Sequence, residues 1–100
     1  MTDRTFTDKE LHRIEIMRDI FEKLEITDHV YKLIDNLFIS QRHKTILQLK
    51  YCEKVGNKNI AYQMGISERW LSSILNEALL ASYIALRDNI RRGVVVPKLP

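Results

Sequence analysis

Residues 57–76 read Asn57-Lys58-Asn59-Ile60-Ala61-Tyr62-Gln63-Met64-Gly65-Ile66-Ser67-Glu68-Arg69-Trp70-Leu71-Ser72-Ser73-Ile74-Leu75-Asn76. Two helices that cross steeply over a tight turn make demands at fixed spacings, and this stretch meets them together. Ala61 is small where the helices would approach most closely. Gly65, four residues on, permits the positive φ of a turn. Ile60, Met64 and Ile66 are placed to seal the corner. Ser67 is a natural N-cap, and Leu71, Ile74 and Leu75 share the inward side of the second helix. The pattern predicts a helix-turn-helix. The plainer alternative is a helical hairpin with a glycine turn, which would need only some of these residues.

Outward from this stretch the chain reads as helix throughout. Glycine and proline are confined to Gly56, Gly65, Gly93, Pro97 and Pro100, and apolar residues recur three and four apart. A first helix is expected from Thr7, whose spacing to Glu10 fits a capping box. Leu11, Ile14, Met17, Phe21 and Leu24 form its apolar face, broadened by Ile16 and Ile20. A second helix is expected from an Asp28 cap to about Phe38, with Val30, Tyr31, Ile34, Leu37 and Phe38 on its apolar side. A third starts near Ser40 or Gln41, carries Ile46, Leu47, Leu49, Tyr51 and Cys52, and ends by Gly56 as a left-handed cap. A short fourth covers Lys58 to Met64, with Asn57 as a possible cap. The fifth runs from the Ser67 cap to Gly93, about 25 residues or nearly 40 Å.

The expected fold is therefore all-α, about five helices containing a helix-turn-helix with a long C-terminal recognition helix. The expected organisation is a single domain over 1–100. It comprises an N-terminal helical pair (1–39), the helix-turn-helix region (40–92) and an extended tail (93–100), which Pro97 keeps from being helical.

Composition narrows the function. Apolar residues make up 45% of the 100 residues, enough for a core and too many for a disordered chain. No window is apolar enough to span a membrane, and the start lacks the apolar run of a signal peptide. Cys52 is the only cysteine, so no disulfide forms within the chain, and a reducing cytoplasmic setting is expected. Residues 1–40 carry 6 Lys/Arg against 9 Asp/Glu, whereas residues 41–100 carry 10 against 4. The basic second part favours a polyanionic partner.

On the fifth helix, Leu71, Ile74, Leu75, Ala78 and Ser82 cluster on one side. Arg69, Ser72, Ser73 and Asn76 lie away from it and are the candidates for base edges or phosphates. Arg69 suits a bidentate pair with guanine and Asn76 one with adenine. Ser72 and Ser73 are short enough to let the helix sit deep in a groove. Asn57, Lys58 and Asn59 open the preceding helix as candidate phosphate contacts, with Ser67 at the turn. Arg42 and Lys44 add positive charge. Trp70 flanks this face, either packed on the preceding helix or lying along the sugar-phosphate backbone. Leu80 and Ile84 lie nearly opposite the core stripe. Something is expected to cover them: the first helix folded back or, as the favoured expectation, a second subunit of a homodimer.

The segment Ile46-Leu47-Gln48-Leu49-Lys50-Tyr51, a short glycine-containing linker, and Asn59 to Leu71 together resemble the C-terminal promoter-reading domain of bacterial sigma factors, region 4. They are also similar to the small sigma-like regulators of bacteriophages and prophages. The resemblance covers about residues 35–87. It implies that the helix carrying Ile46 to Tyr51 packs under the motif and that the helix after Gly65-Ile66-Ser67 enters the major groove. It also implies RNA polymerase as a further partner. Family members usually carry a small polar residue where Trp70 stands. With no preceding promoter-melting domain, a small regulator is expected rather than a complete sigma factor.

The sequence offers no catalytic constellation, so no enzyme, cofactor or metal site is expected. His12, His29 and His43 share no ligand spacing, and no phosphate loop or hydrolase motif is present. The leading expectation is a sequence-specific transcriptional regulator that binds double-stranded DNA. Alternatives are a module that engages the transcription machinery through protein contacts, and the DNA-recognition domain of a small terminase subunit.

Overall fold

The computed structural model describes residues 5–25 and 27–91. In chain order these form α1 (Asp8–Lys23), α2 (Thr27–Asp35), α3 (Gln41–Leu47) continued by a π turn (Gln48–Cys52), α4 (Asn57–Met64) and α5 (Glu68–Arg91). The fold is all-α with five helices, and no strand occurs among the described residues. None of the described helices is long and apolar enough to cross a membrane. Gly93 and the 93–100 tail lie outside the described residues.

α1 starts at the expected capping box. The Thr7 hydroxyl accepts from the Glu10 amide at 3.1 Å, and the Glu10 carboxylate accepts from the Thr7 amide at 3.0 Å. Two orphan donors are satisfied reciprocally. Ile14, Met17, Phe21 and Leu24 are buried, but Leu11 lies at the edge of the stripe and is 42% exposed. On the outer face Asp19 and Lys23 pair at 2.8 Å.

α2 stops at Asp35, short of the expected end at Phe38. Val30, Leu33, Ile34 and Leu37 take the inward positions. Tyr31 falls off that face, and Phe38, just beyond the helix and next to inward-facing Leu37, is 96% exposed. Neither supplies the core as expected.

Ser40 caps α3 by accepting from the His43 amide at 3.2 Å. The helix then widens. The Glu53 amide donates to the Gln48 carbonyl at 2.9 Å, and the Val55 amide reaches back to Leu49 at 2.9 Å. This π turn ends the helix early and moves the left-handed residue upstream to Lys54 (φ 58°). Gly56, expected in that role, is extended (φ −68°, ψ 152°) and precedes α4 as its N-cap. Asn57 is thus the first residue of α4 and not its cap.

Two apolar clusters result. The larger joins Ile14, Met17 and Phe21 of α1 to α2, the end of α3 and the second half of α5, with Phe21 stacked on Tyr51 at 5.1 Å. The smaller joins Ile46, Ile60, Ala61, Leu71, Ile74 and Leu75. α5 belongs to both. At 24 residues it is about 36 Å long, close to the longest dimension of 38 Å. Arg18 meets Asn76 and Arg13 lies over Tyr83, so α1 runs antiparallel along α5. The second half of α5 contributes Leu79, Leu80, Ala85 and Leu86 to the same cluster as α1. Leu80 is therefore buried within the chain, whereas Ile84 stays 38% exposed.

Candidate nucleic-acid interface

The candidate interface begins at α4. Its apolar side, Ile60 and Ala61, is buried, with Ala61 at 3% exposure facing α5. The small side chain permits close approach of the two helices. Lys58 and Asn59 are exposed on the first turn. Tyr62, about 200° around the helix from Ile60, is 87% exposed.

Gly65 ends α4 in the left-handed region (φ 68°, ψ 34°). The Ile66 amide donates to the Ala61 carbonyl at 3.0 Å and the Gly65 amide to the Tyr62 carbonyl at 3.2 Å. These two bonds form a Schellman pattern that satisfies the orphan carbonyls of the last turn. Ile66 completes it by packing on the smaller cluster. The chain turns directly into α5, where the Ser67 hydroxyl accepts from the Trp70 amide at 3.0 Å. Ser67 is exposed, and its oxygen is committed to the cap.

The first turns of α5 present Arg69 and Ser72 as exposed residues, with Ser73 half-buried beside them. Arg69 and Ser73 also interact within the chain. Asn76 departs from the expected arrangement. It is half-buried, and its Oδ1 accepts from the Arg18 guanidinium at 2.9 Å. A bidentate pair with adenine uses that oxygen as well as the amide hydrogens, so a base there would share the Asn76 oxygen with Arg18. Trp70 packs against the smaller cluster, and the Arg42 guanidinium lies 5.7 Å above its ring. Lys44 donates to the Asp35 carbonyl at 2.8 Å, tying α3 to the end of α2.

Three residues at this site escaped sequence reasoning. Tyr62 was legible, because helical spacing places it opposite Ile60. Arg18 and Lys50 were not: each arrives through tertiary packing. Lys50 Nζ donates to Asn57 Oδ1 at 2.6 Å, so the expected phosphate contact Asn57 already has a cationic partner.

Burial lowers the His43 pKa below 6.5, with Glu77 opposing and Arg42 adding to the shift. Burial raises the Cys52 thiol pKa, with Lys54 opposing, which leaves it a poor nucleophile. Among the described residues no group of three His, Cys, Asp or Glu side chains is arranged to hold a metal. The arrangement offers hydrogen-bond donors and the charges of Lys58 and Arg69, with Glu68 beside them, at a helix end next to a turn. In comparisons with known proteins, no family model, no curated protein and no solved structure matches this chain.

Proposed function

We propose that this chain is a sequence-specific transcriptional regulator that binds double-stranded DNA through a helix-turn-helix built from α4, the Gly65 turn and α5. The observation that carries the reading is the turn. A left-handed Gly65, a buried Ala61 and a Ser67 cap stand in register, and they leave Arg69 and Ser72 exposed beside Lys58 and Asn59. A short polar helix end with basic flanks suits a major groove, with base edges met by α5 and phosphates by the start of α4. Arg69, Ser72 and Ser73 are assigned the bases. Asn76 would share its oxygen with Arg18, and Trp70 acts by packing. Selection of bound duplexes from a random DNA pool tests this. A recurrent motif is the expected result, and no enrichment would reject it.

A protein-contact role is favoured by a second surface. Between α1 and the end of α5 runs an apolar groove lined by Ile16, Ile20, Tyr83 and Ile90, with Arg87 and Arg91 among its other residues. Ile90 is 56% exposed and Ile84 lies on the same helix. This surface is assigned to a second copy of the chain, which would pair two reading helices on adjacent half-sites. In sedimentation equilibrium a dimeric mass is expected, and a monomeric mass at micromolar concentration rejects the pairing. RNA polymerase is the alternative occupant. A cytoplasmic setting follows from the same reading.

A further inference from the structure

We infer that the cleft between α1, the π turn and the starts of α4 and α5 is a phosphate-binding site. This deepens the DNA-binding reading, and the phosphate is assigned to the DNA backbone. The cleft has a volume of about 250 Å³ and is lined by Arg18, Glu22, Lys50, Asn57, Ser72 and Asn76 among others. Four separate elements deliver those side chains. Two cations face one carboxylate, so the lining carries a net positive charge.

The cleft gathers an ammonium and a guanidinium against the single carboxylate of Glu22. An ammonium has three N–H groups and a guanidinium five. Asn57 Oδ1 takes one from Lys50 at 2.6 Å. Asn76 Oδ1 takes one from Arg18 at 2.9 Å, and Tyr51 also lines the cleft. An ammonium and a guanidinium converging on one cleft suit a tetrahedral oxyanion with several acceptor oxygens.

Two further features point the same way. Asn57 opens α4, whose first amides lack partners inside the helix and whose dipole favours negative charge. Lys50 comes from the π turn, a distortion that recurs at functional sites. Here it sets the reach of Lys50 to Asn57. Exposed Ser72 links the cleft to the reading face, so a duplex lying on α5 would bring a backbone phosphate to its mouth. A free phosphate compound shares this chemistry, and the experiment separates the two sources.

The informative variant is Asn57→Asp. A carboxylate there keeps a partner for Lys50 and suits the first turn of α4, so the fold is retained, while the cleft loses its positive charge. Lys50→Gln is its companion. Binding to a random-sequence duplex is measured by fluorescence anisotropy across salt concentrations, and backbone amide shifts of the wild-type protein are followed with inorganic pyrophosphate alone. In both variants the slope of log affinity against log salt should flatten by about 1, with weaker binding to every sequence alike. Wild-type slopes and affinities in both variants would overturn the cleft and leave the DNA-binding reading standing. Pyrophosphate shifts at Lys50, Asn57 and Ser72 in a chain that binds no DNA would keep the cleft, assign it to a free phosphate compound and overturn the DNA-binding reading. Neither DNA nor pyrophosphate binding would overturn both.

Discussion

The two halves of α5 live in different surroundings although they belong to one unbroken helix. Its first half rests on the smaller cluster with Ile46, Ile60 and Ala61, and leaves Arg69 and Ser72 to solvent. Its second half lies in the larger cluster, where α1 and α2 meet it and bury even Leu80. The boundary falls at Asn76, which Arg18 of α1 already holds. One half thus serves as an anchor and the other as a presented edge. A rigid helix transmits the position of the anchor to the edge, so the small cluster needs little area of its own to fix the orientation of Arg69.

The largest expected effect tests whether the two halves are one cooperative unit. Phe21→Ala in the larger cluster should cost about 3–5 kcal/mol, and Ile60→Ala in the smaller about 2–5 kcal/mol. Trp70, the only tryptophan, lies in the smaller cluster, so its fluorescence reports that half while far-ultraviolet circular dichroism reports all helices. Coincident melting by both probes in Phe21→Ala is expected. Separate transitions would show that the presented half stands independently of its anchor.

A smaller effect is expected at the turn. A Cβ added to Gly65 would meet no atom within 4 Å, so any cost there is backbone strain at φ 68°. Gly65→Val should lose about 1–3 kcal/mol. Gly65→Asn should lose less, because asparagine visits the left-handed region more readily. Equal melting temperatures for the two variants would mean that the turn does not depend on this conformation.

The smallest concerns pH. Burial on α3 disfavours the charged form of His43, so its folded pKa lies below 6.5. The neutral group's contribution to stability is present above the unfolded value and is lost as pH falls through the folded one. The melting temperature should decline on acidification below about pH 6.5. His43→Gln should flatten that decline, and an unchanged profile would remove His43 as its source.

Much of this contrast was legible in the sequence. The capping box, Ala61, Gly65, Ser67 and the stripe from Leu71 to Ser82 are local signals, each requiring a particular residue type at a particular spacing, and all appear where expected. What was not legible is tertiary. The π turn that follows α3 ends at Cys52, which shifts the left-handed stop from Gly56 to Lys54. Phe38 and Tyr31 are apolar by composition but fall outside the face that α2 buries. Asn76 looks outward by helical phase, yet α1, 58 residues earlier in the chain, supplies the arginine that occupies it. Of the two residues opposite the core stripe, Leu80 is covered by the fold and Ile84 is not.

The proposed role of the presented half of α5 is to read duplex DNA. Its most direct test compares Arg69→Ala and Lys58→Ala on the selected duplex and on a random one, by fluorescence anisotropy. Arg69→Ala should lose about 1–3 kcal/mol on the selected sequence and little on the random one, and relax the preference at one base pair. Lys58→Ala should weaken both duplexes alike and flatten the salt dependence. Wild-type affinity of both folded variants on both duplexes would contradict the account.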